Sequence, residues 1–354
     1  MKERNYSIDI AKALGIFIVV LGHVIQDQTA HAYIYGFHMP LFFMLAGYTY
    51  RYTEGHNYTT KELIKKKFKT ILVPYYIFLT LSFIYWITIE RSFRSSQDGS
   101  VKWNIINIFA GFAKREWYSS NIAMWFLPCL FVTILLFYLI RKISNKECIV
   151  LCCMILCSII GFSLCSRNGL ILPLGCEIAL IALFFVEIGY ILDHKGLLIQ
   201  TNTIPSLCAM VVCSAIYILV VRQNGDVSML THKYNMHILY VFGALSGSIA
   251  LLIVSKCLAQ LATKCRFITL VTHIGKNTLG IMVIHEPIKR VVIKLFAILT
   301  RIQVDTIRTN IVLSIVITIV TIGIIIPILQ LIKKFVPQAL GEYKQKMNDY
   351  SDTK

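Results

Sequence analysis

Long apolar stretches, separated by short polar segments, follow one another through almost the whole chain. Each is close to the roughly 20 residues that an α-helix needs to cross the hydrocarbon core of a bilayer. Unbroken apolar runs of this length do not suit a soluble amphipathic helix, which is polar on one side. The pattern therefore predicts an all-α fold, a polytopic transmembrane helical bundle of about ten spans. The predicted spans are residues 7–26, 34–52, 70–89, 123–141, 148–165, 174–192, 204–221, 236–257, 270–288 and 310–332.

Composition agrees with this pattern and adds a large positive charge. Hydrophobic residues make up 56% of the 354 residues, the mean hydropathy is +0.68 and the formal net charge is +17. Lys and Arg in membrane-protein loops act as orientation signals, so this charge does not indicate a nucleic-acid partner. We expect one membrane domain over residues 1–335 and a short polar cytoplasmic tail over residues 336–354.

The positive charges distinguish the two sides of the predicted bundle. With both termini in the cytoplasm, the cytoplasmic segments carry 21 Lys and Arg residues and the outer segments carry 13. Cytoplasmic loops of membrane proteins are enriched in these residues, so both termini are predicted to be cytoplasmic. Lys289, Arg290 and Lys294 would face outside, against this rule. We expect an amphipathic stretch on the outer surface there.

The first two predicted spans carry ionisable side chains that hydrocarbon does not tolerate alone. Asp9, Lys12 and His23 lie in the first span, and His38 lies in the second. Such residues usually face a protein interior or a water-filled cavity and mark a functional site. Lys12 and His23 share one face of a helix and are about 16 Å apart along its axis. Asp9 lies one turn from Lys12, at a spacing that allows an ion pair.

The other candidate residues separate by depth. His23, His38, His285 and Glu177 fall in the predicted outer half of the bundle. Histidine suits general acid–base catalysis there because its unperturbed pKa lies near neutrality. The inner side carries a basic run that suits an anionic ligand. This run includes Lys65, Lys66, Lys67 and Lys69.

Each of these features has a structural alternative. A transmembrane histidine can serve only to hydrogen-bond a neighbouring helix, and a basic run beside the membrane can serve only as a contact for anionic lipids. Glu187 and Asp193, near the cytoplasmic end of the sixth span, are expected to be solvated. The cysteines lie mostly within apolar stretches with no histidine nearby, so we expect no metal site.

The longest predicted connection, residues 90–122, lies on the outer side and has two interpretations. It is polar at first and then aromatic and amphipathic. Long connections in compact proteins are often functional, and this one would then form a lid or bind an acceptor. Alternatively, it is an interfacial helix anchored by Trp103, Trp117 and Tyr118. The sequence supports both interpretations equally.

Several strings resemble the acyltransferase-3 family of integral membrane acyltransferases, specifically its sugar O-acetyltransferase branch, the fucose 4-O-acetylase-like proteins. The resemblance covers nearly the whole chain. It rests on RNYSIDIAKALGIFIVVLGH, FHMPLFFMLAGY, KKKFKTILVPYY, WFLPCLF and IGKNTLGIMVIHEPI. In the family's first helix a basic residue precedes a histidine with ten residues between them, and here these are Lys12 and His23. Many members have Arg at the first position, so Lys12 keeps the charge and loses the bidentate fork of Arg.

The resemblance implies a stand-alone sugar O-acetyltransferase of the bacterial cytoplasmic membrane, surrounded by its lipids. It implies acetyl-CoA as the donor, used from the cytoplasm, and a sugar of a polysaccharide or glycolipid as the acceptor. The implied catalytic residue is His23, as general base or nucleophile. We expect Lys12 and Asp9 either to take part in catalysis or to fix the helix. The predicted substrate-binding residues are His38, His285 and Glu177, which would hold the sugar or orient His23. The implied ligands of the acetyl-CoA phosphates are Lys65, Lys66, Lys67 and Lys69.

Two other functions fit the same residues. A translocator of a lipid-linked sugar or polysaccharide would also carry polar residues through its bundle. Such transporters often show paired, broken helices in their two halves, and this sequence shows no such symmetry. A membrane module that handles amino acids on the same fold is the third alternative, because a fold does not determine its substrate. Consumption of acetyl-CoA would distinguish the acyltransferase from the translocator.

Overall fold

The structure, a computed structural model, describes residues 6–50, 58–93, 99–144, 146–166, 170–194, 196, 203–260 and 266–343. We number its main helices along the chain. They are α1 (Tyr6–Val24), α2 (Gln28–Tyr35), α3 (His38–Tyr50), α4 (Thr60–Glu90), α5 (Val101–Ala110), α6 (Phe126–Ile143), α7 (Glu147–Ser166), α8 (Cys176–His194), α9 (Thr203–Asn224), α10 (His237–Ala259), α11 (Arg266–Lys276), α12 (Thr278–Thr300), α13 (Val304–Thr309) and α14 (Ile311–Phe335).

The regular structure of the described residues is helical, apart from one isolated bridge between Ser228 and Lys233. Within this part of the chain, eight helices are long and apolar enough to cross a membrane. Their apolar residues also face outwards on many turns, as expected where lipid replaces water. The prediction of an all-α, polytopic helical bundle is confirmed, and the chain is a multi-pass membrane protein.

Two predicted spans differ from the helices found. Residues 34–52 are not one helix, because the chain turns between the end of α2 and the start of α3. The predicted span 270–288 has the wrong bounds. Helix α11 ends at Lys276, and α12 begins at Thr278 and continues to Thr300. The backbone of Asn277 leaves the helical region there (φ −102°, ψ 13°), which separates the two helices.

Helix α1 is central to one half of the bundle, with α3, α10, α11, α12 and α14 packed around it. Its last turn is held by polar contacts from distant segments. The amide of Gln26 donates to the carbonyl of Arg308 at 2.7 Å, and Lys289 Nζ donates to the carbonyl of His23 at 2.6 Å. These contacts satisfy carbonyl groups that a helix end leaves without partners. They fix the position of the histidine at the end of α1.

Two glycines allow α3 and α8 to touch backbone to backbone. A Cβ atom on Gly47 would lie 1.9 Å from the carbonyl oxygen of Val186, and one on Gly189 would lie 1.9 Å from that of Met44. Small residues at such crossings let membrane helices approach closely. Close packing matters in a bilayer because the hydrophobic effect does not drive one helix against another there. This pair of glycines lets α3 pack directly against α8.

We predict that Gly47→Ala destabilises the bundle by about 1–3 kcal/mol, because the helices must separate to admit the methyl group. The measurement is the temperature at which the detergent-solubilised protein loses its monodisperse elution peak. Gly323→Ala is the matched control, since its Cβ would meet nothing within 4 Å. Equal melting of the two variants would contradict the role of the close contact.

Glu187 is buried, and the expectation that it is solvated is wrong. Its carboxylate is paired with the guanidinium of Arg141, which also lies 3.6 Å from the centre of the Tyr190 ring. Asp193 is buried as well. These groups lie inside the bundle because α6 and α8 pack together there, and a buried charge requires such a partner.

The start of the predicted polar tail is packed rather than free. Residues Pro337–Leu340 form a turn of 3₁₀ helix, and Ala339 and Leu340 are buried. Gly341 lies so close to Thr70 that a Cβ would be 2.7 Å from its carbonyl oxygen. The rest of the tail, 344–354, lies outside the described residues.

Candidate functional site

Two helices distant in sequence place an imidazole beside a carboxylate. His23 lies in the last turn of α1, and Glu286 lies within α12. Nδ1 of His23 is 3.1 Å from Oε1 of Glu286. Because a carboxylate only accepts hydrogen bonds, the contact favours the tautomer in which Nδ1 is protonated and Nε2 carries the lone pair. A carboxylate orients the imidazole of a catalytic triad in the same way.

Glu286 is itself held by two cations. Lys289 Nζ donates to its Oε1 at 2.7 Å, and Arg290 Nη2 lies 3.2 Å from its Oε2. Arg290 also donates to both carboxylate oxygens of Glu90, at 3.1 and 2.9 Å, at the end of α4. A buried carboxylate requires such partners. Lys289 and Arg290 therefore hold the Glu286 carboxylate at both of its oxygens, and this carboxylate orients His23.

A second imidazole lies beside the first. The ring centres of His23 and His285 are 5.2 Å apart. Nδ1 of His285 donates to the carbonyl of Met282 at 2.9 Å and lies 3.1 Å from that of Ile281. Its Nε2 therefore carries a lone pair. Among the described residues this buried nitrogen has no hydrogen-bond partner, so it can accept a hydrogen bond from a bound reactant.

A third imidazole joins the group through an aromatic ring. The ring of Tyr35 lies 4.7 Å from that of His38 and 6.5 Å from that of His23. Nδ1 of His38 donates to a carbonyl one turn earlier, which leaves its Nε2 as an acceptor. His31 stacks on Tyr35 at 3.6 Å and contacts Asp226 at 2.8 Å. The structure thus brings His38 close to His23 and His285 through Tyr35, a convergence that the sequence left open.

His23 is the most accessible of these three imidazoles. Its side chain is 14% exposed, whereas His38 is 4% and His285 is 0% exposed. His23 is thus the partly exposed member of the cluster, and His285 lies buried beside it. Accessibility and the carboxylate partner together make His23 the best candidate for the reacting group.

The cluster also resembles a metal site in its spacing. The ligand atoms of His23, His285 and Glu286 lie within 4.8 Å of one another. However, Lys289 and Arg290 already neutralise this carboxylate, and a divalent cation would lie beside both positive charges. Because this environment does not suit a metal ion, the absence of a metal stays our prediction.

The second half of the outer connection, residues 90–122, forms part of the site. The carbonyl of Ser120 accepts from Arg290 at 3.1 Å, and Nδ2 of Asn121 donates to the carbonyl of Val283 at 2.9 Å. Tyr118 is 1% exposed, so its interpretation as an interfacial anchor is wrong. These contacts make the segment before α6 a wall of the site.

Glu177 lies in another part of the bundle. Its Oε1 is 3.3 Å from Nε2 of His232, and its Oε2 accepts from the amide of Leu172 at 3.1 Å. Both Glu177 and His232 are buried. The contacts found within the described residues therefore join Glu177 to the turn before α10 rather than to His23.

The remaining candidates lie at the opposite end of α1. This helix is continuous, so Lys12 stays about 16 Å along the axis from His23. Asp9 packs against α11, where a Cβ on Gly275 would lie 1.8 Å from its carbonyl oxygen. We name the two ends of the bundle the His23 end and the Asp9 end.

The predicted basic run belongs to the Asp9 end. Helix α4 reaches the His23 end at Glu90, so its first turns lie at the other end. Lys66 Nζ donates to the hydroxyl of Tyr58 at 2.7 Å, and its charge lies over the Tyr58 ring. The structure thus separates two candidate regions. The members of the run are Lys65, Lys66, Lys67 and Lys69.

One expectation about the outer charges is wrong. The stretch beginning at Lys289 is not an amphipathic surface segment, since Lys289 is 6% exposed and lies in the middle of α12. The spacing of three and four residues from Glu286 to Lys289 and Arg290 was a sequence signal of this network. Glu90 comes from a distant helix, and no local sequence pattern predicts its contact with Arg290.

Comparison with known proteins agrees with the resemblance seen in the sequence. The family model for the acyltransferase-3 domain, described as an acyltransferase domain, matches residues 5–330. The match includes both ends of the bundle and every candidate residue discussed above. No curated protein and no solved structure matches the chain.

Proposed function

The chain belongs to the acyltransferase-3 family, and we propose that it is an O-acetyltransferase acting between acetyl-CoA and a sugar. It would move an acetyl group from cytoplasmic acetyl-CoA to a hydroxyl of a cell-surface polysaccharide or glycolipid, in the cytoplasmic membrane. The observation that carries this proposal is the accessible His23 imidazole beside the fixed carboxylate of Glu286. Such a pair is suited to deprotonating a hydroxyl.

The chemistry requires little beyond these residues. Nε2 of His23 accepts the proton of the acceptor hydroxyl while the hydroxyl oxygen attacks the carbonyl carbon of the acetyl thioester. The C–O bond forms, the C–S bond breaks, and the CoA thiolate takes up a proton. In the alternative order, Nε2 first accepts the acetyl group and then passes it to the hydroxyl. Either order yields a sugar ester and CoA.

In either order, neighbouring groups would stabilise the positively charged ring of His23 and help to hold the sugar. Glu286 would stabilise the imidazolium formed when His23 gains a proton. Nε2 of His285 would accept a hydrogen bond from the sugar, and His38 would help to hold Tyr35 against the site.

The donor would bind at the Asp9 end, which we propose faces the cytoplasm. Lys residues at the start of α4 would meet the CoA phosphates, since ammonium groups bind phosphate by charge-assisted hydrogen bonds. The pantetheine arm would follow α1 past Lys12 to His23. Asp9 and Lys12 would line its entrance. The His23 end, with the sugar, would face outwards.

We predict saturable binding of acetyl-CoA to the purified protein in lipid nanodiscs, and weaker binding by Lys66→Ala/Lys67→Ala. Loss of a charge-assisted hydrogen bond typically costs about 1.5–3 kcal/mol, or roughly tenfold to a hundredfold in affinity. Isothermal titration calorimetry measures both proteins. The matched control is Lys333→Ala/Lys334→Ala, which removes two adjacent charges from the end of α14.

Two results would contradict this donor site. Equal weakening in both double variants would mean that general charge, rather than the α4 site, attracts the donor. No binding by well-folded protein would favour the translocator, and His23 would then be a pathway residue.

A further inference from the structure

Two arginines at the His23 end have no carboxylate within salt-bridge distance among the described residues. They are Arg308, in the short helix α13, and Arg115, in the outer connection. Lys289 and Arg290 are paired with Glu286, and Lys114, next to Arg115, lies over the Trp117 ring at 4.9 Å from its centre. Arg308 and Arg115 therefore place positive charge at the edge of the site that no described carboxylate pairs within salt-bridge distance.

Arg308 lies directly against the end of the helix that carries His23. Its Nε donates to the carbonyl of Val24 at 3.0 Å, and its Nη2 lies 3.4 Å from the carbonyl of His23. These bonds cap α1, which is one reason for an arginine here. They use only two of the five N–H groups of the guanidinium, and no described carboxylate lies within salt-bridge distance of it.

The electrostatic environment of Arg308 supports this description. Burial lowers its pKa, and the positive charges of Arg290 and Arg115 lower it further, against the attraction of Glu286 and Asp305. Arg115 lies five residues before Ser120, whose carbonyl accepts from Arg290 at 3.1 Å, so its segment borders the site. A buried cation beside like charges is stabilised by an added anion.

An aromatic pair adjoins Arg115 in the outer connection. The rings of Trp103 and Trp117 stack with centres 4.4 Å apart and planes 2° from parallel, and Trp103 is 39% exposed. The chain then runs from Trp117 to Ser120, whose carbonyl binds Arg290 at the site. The exposed indole pair, Arg115 and the wall of the site therefore lie along one segment of the chain.

We propose that the His23 end binds an acceptor carrying an anionic group, a carboxylate or a phosphate, through Arg308 and Arg115. The proposal rests on the proposed function and names its acceptor class. It also accounts for positive charges at the end of the bundle where the orientation rule predicts few. A neutral sugar would offer these arginines no negative charge to bind.

Binding of three fluorescent oligomers of equal length tests the proposal, with the protein in zwitterionic nanodiscs. They are a neutral oligoglucoside, an oligogalacturonide with carboxylates, and a glycerol phosphate oligomer with phosphodiesters. We expect at least one charged oligomer to bind at least tenfold more tightly than the neutral one. That preference should weaken at high salt, because mobile ions screen exposed charges. The better of the two charged oligomers identifies the anionic group.

Arg115→Gln is expected to weaken binding of the preferred charged oligomer about tenfold, as for loss of one hydrogen bond to a charged group. Arg308→Gln should do the same, and Arg308→Lys should retain part of the affinity. Lys102→Gln is the matched control, because it removes an exposed charge from α5 in the same connection. This control should leave binding unchanged.

Equal affinity for all three oligomers would overturn the proposal, as would equal losses in Arg115→Gln and Lys102→Gln. These outcomes are separate from failure of the proposed function. If the protein binds a charged oligomer through the arginines but consumes no acetyl-CoA with any acceptor, the anion site stands and the acetyltransferase assignment fails.

Discussion

His23→Ala is expected to reduce acetyl transfer by about 10²–10⁴-fold, the usual contribution of a general acid–base residue. The imidazole is the accessible member of the cluster, and the variant removes the nitrogen that faces the reactants. Donor binding should be retained, because the basic run of α4 lies at the other end of α1. The measurement is release of CoA in the presence of acceptor, beside acetyl-CoA affinity by calorimetry.

His237→Ala is the matched control for this variant. His237 begins α10, where its ring stacks on Phe162 and lies 3.3 Å from the hydroxyl of Ser166. Its loss should leave transfer near the wild-type rate. Wild-type transfer by His23→Ala would eliminate His23 as base and as nucleophile. A similar loss in both variants would mean that general damage to the bundle explains the effect.

The same reaction separates the two roles of His23. Rapid mixing of the wild-type protein with acetyl-CoA and no acceptor would release a burst of about one CoA per protein if His23 is the nucleophile, because the acetyl group moves to the ring and the thiol leaves. A thiol-reactive dye measures this release. Full turnover with acceptor but no burst without it would assign the role of base.

The helical architecture could be predicted from sequence because membrane insertion requires long apolar segments. The His23 helix was predictable for the same reason, since its polar residues interrupt an otherwise apolar run. Its partner was harder to predict. Glu286 follows His285 in the sequence, and hydropathy does not report which residue of α12 faces α1.

The charges after Glu286 show where sequence reasoning failed. Lys289 and Arg290 violate the orientation rule, and a surface helix was the simplest interpretation. The structure gives another reason: Lys289 compensates Glu286, and Arg290 compensates both Glu286 and Glu90. A charge inside a bundle is tolerated when its partner is also inside. The contact of Arg290 with Glu90 joins residues 200 positions apart, which no local pattern encodes.

Glu177 shows what depth alone leaves open. The sequence predicts it in the same half of the bundle as His23, yet depth does not determine which face of the bundle a side chain joins. The turn before α10 brings His232 to it instead. His232 has a left-handed backbone with φ of 55°, a conformation that is uncommon for non-glycine residues, although histidine adopts it more often than most.

Glu286→Gln is expected to reduce acetyl transfer by about 10²–10⁴-fold, because the orienting carboxylate of a triad is worth up to about 10⁴. The amide keeps the size of the side chain. It removes the charge that would stabilise an imidazolium, and it no longer enforces one tautomer of His23. Lys289 and Arg290 also lose their shared counterion, so the melting temperature must be measured beside the rate. A variant that stays folded at the assay temperature and transfers at the wild-type rate would contradict the proposed pair.

Glu187→Gln separates the catalytic effect from the cost of breaking a buried ion pair. Glu187 is as fully buried as Glu286 and is paired with Arg141, but it lies between α6 and α8. Removing one partner of a buried pair typically costs about 3–5 kcal/mol, so both variants should melt at lower temperature. Only Glu286→Gln should lose transfer per folded molecule. If both variants lose transfer in proportion to their melting temperatures, Glu286 acts on stability alone and His23 functions without an orienting carboxylate.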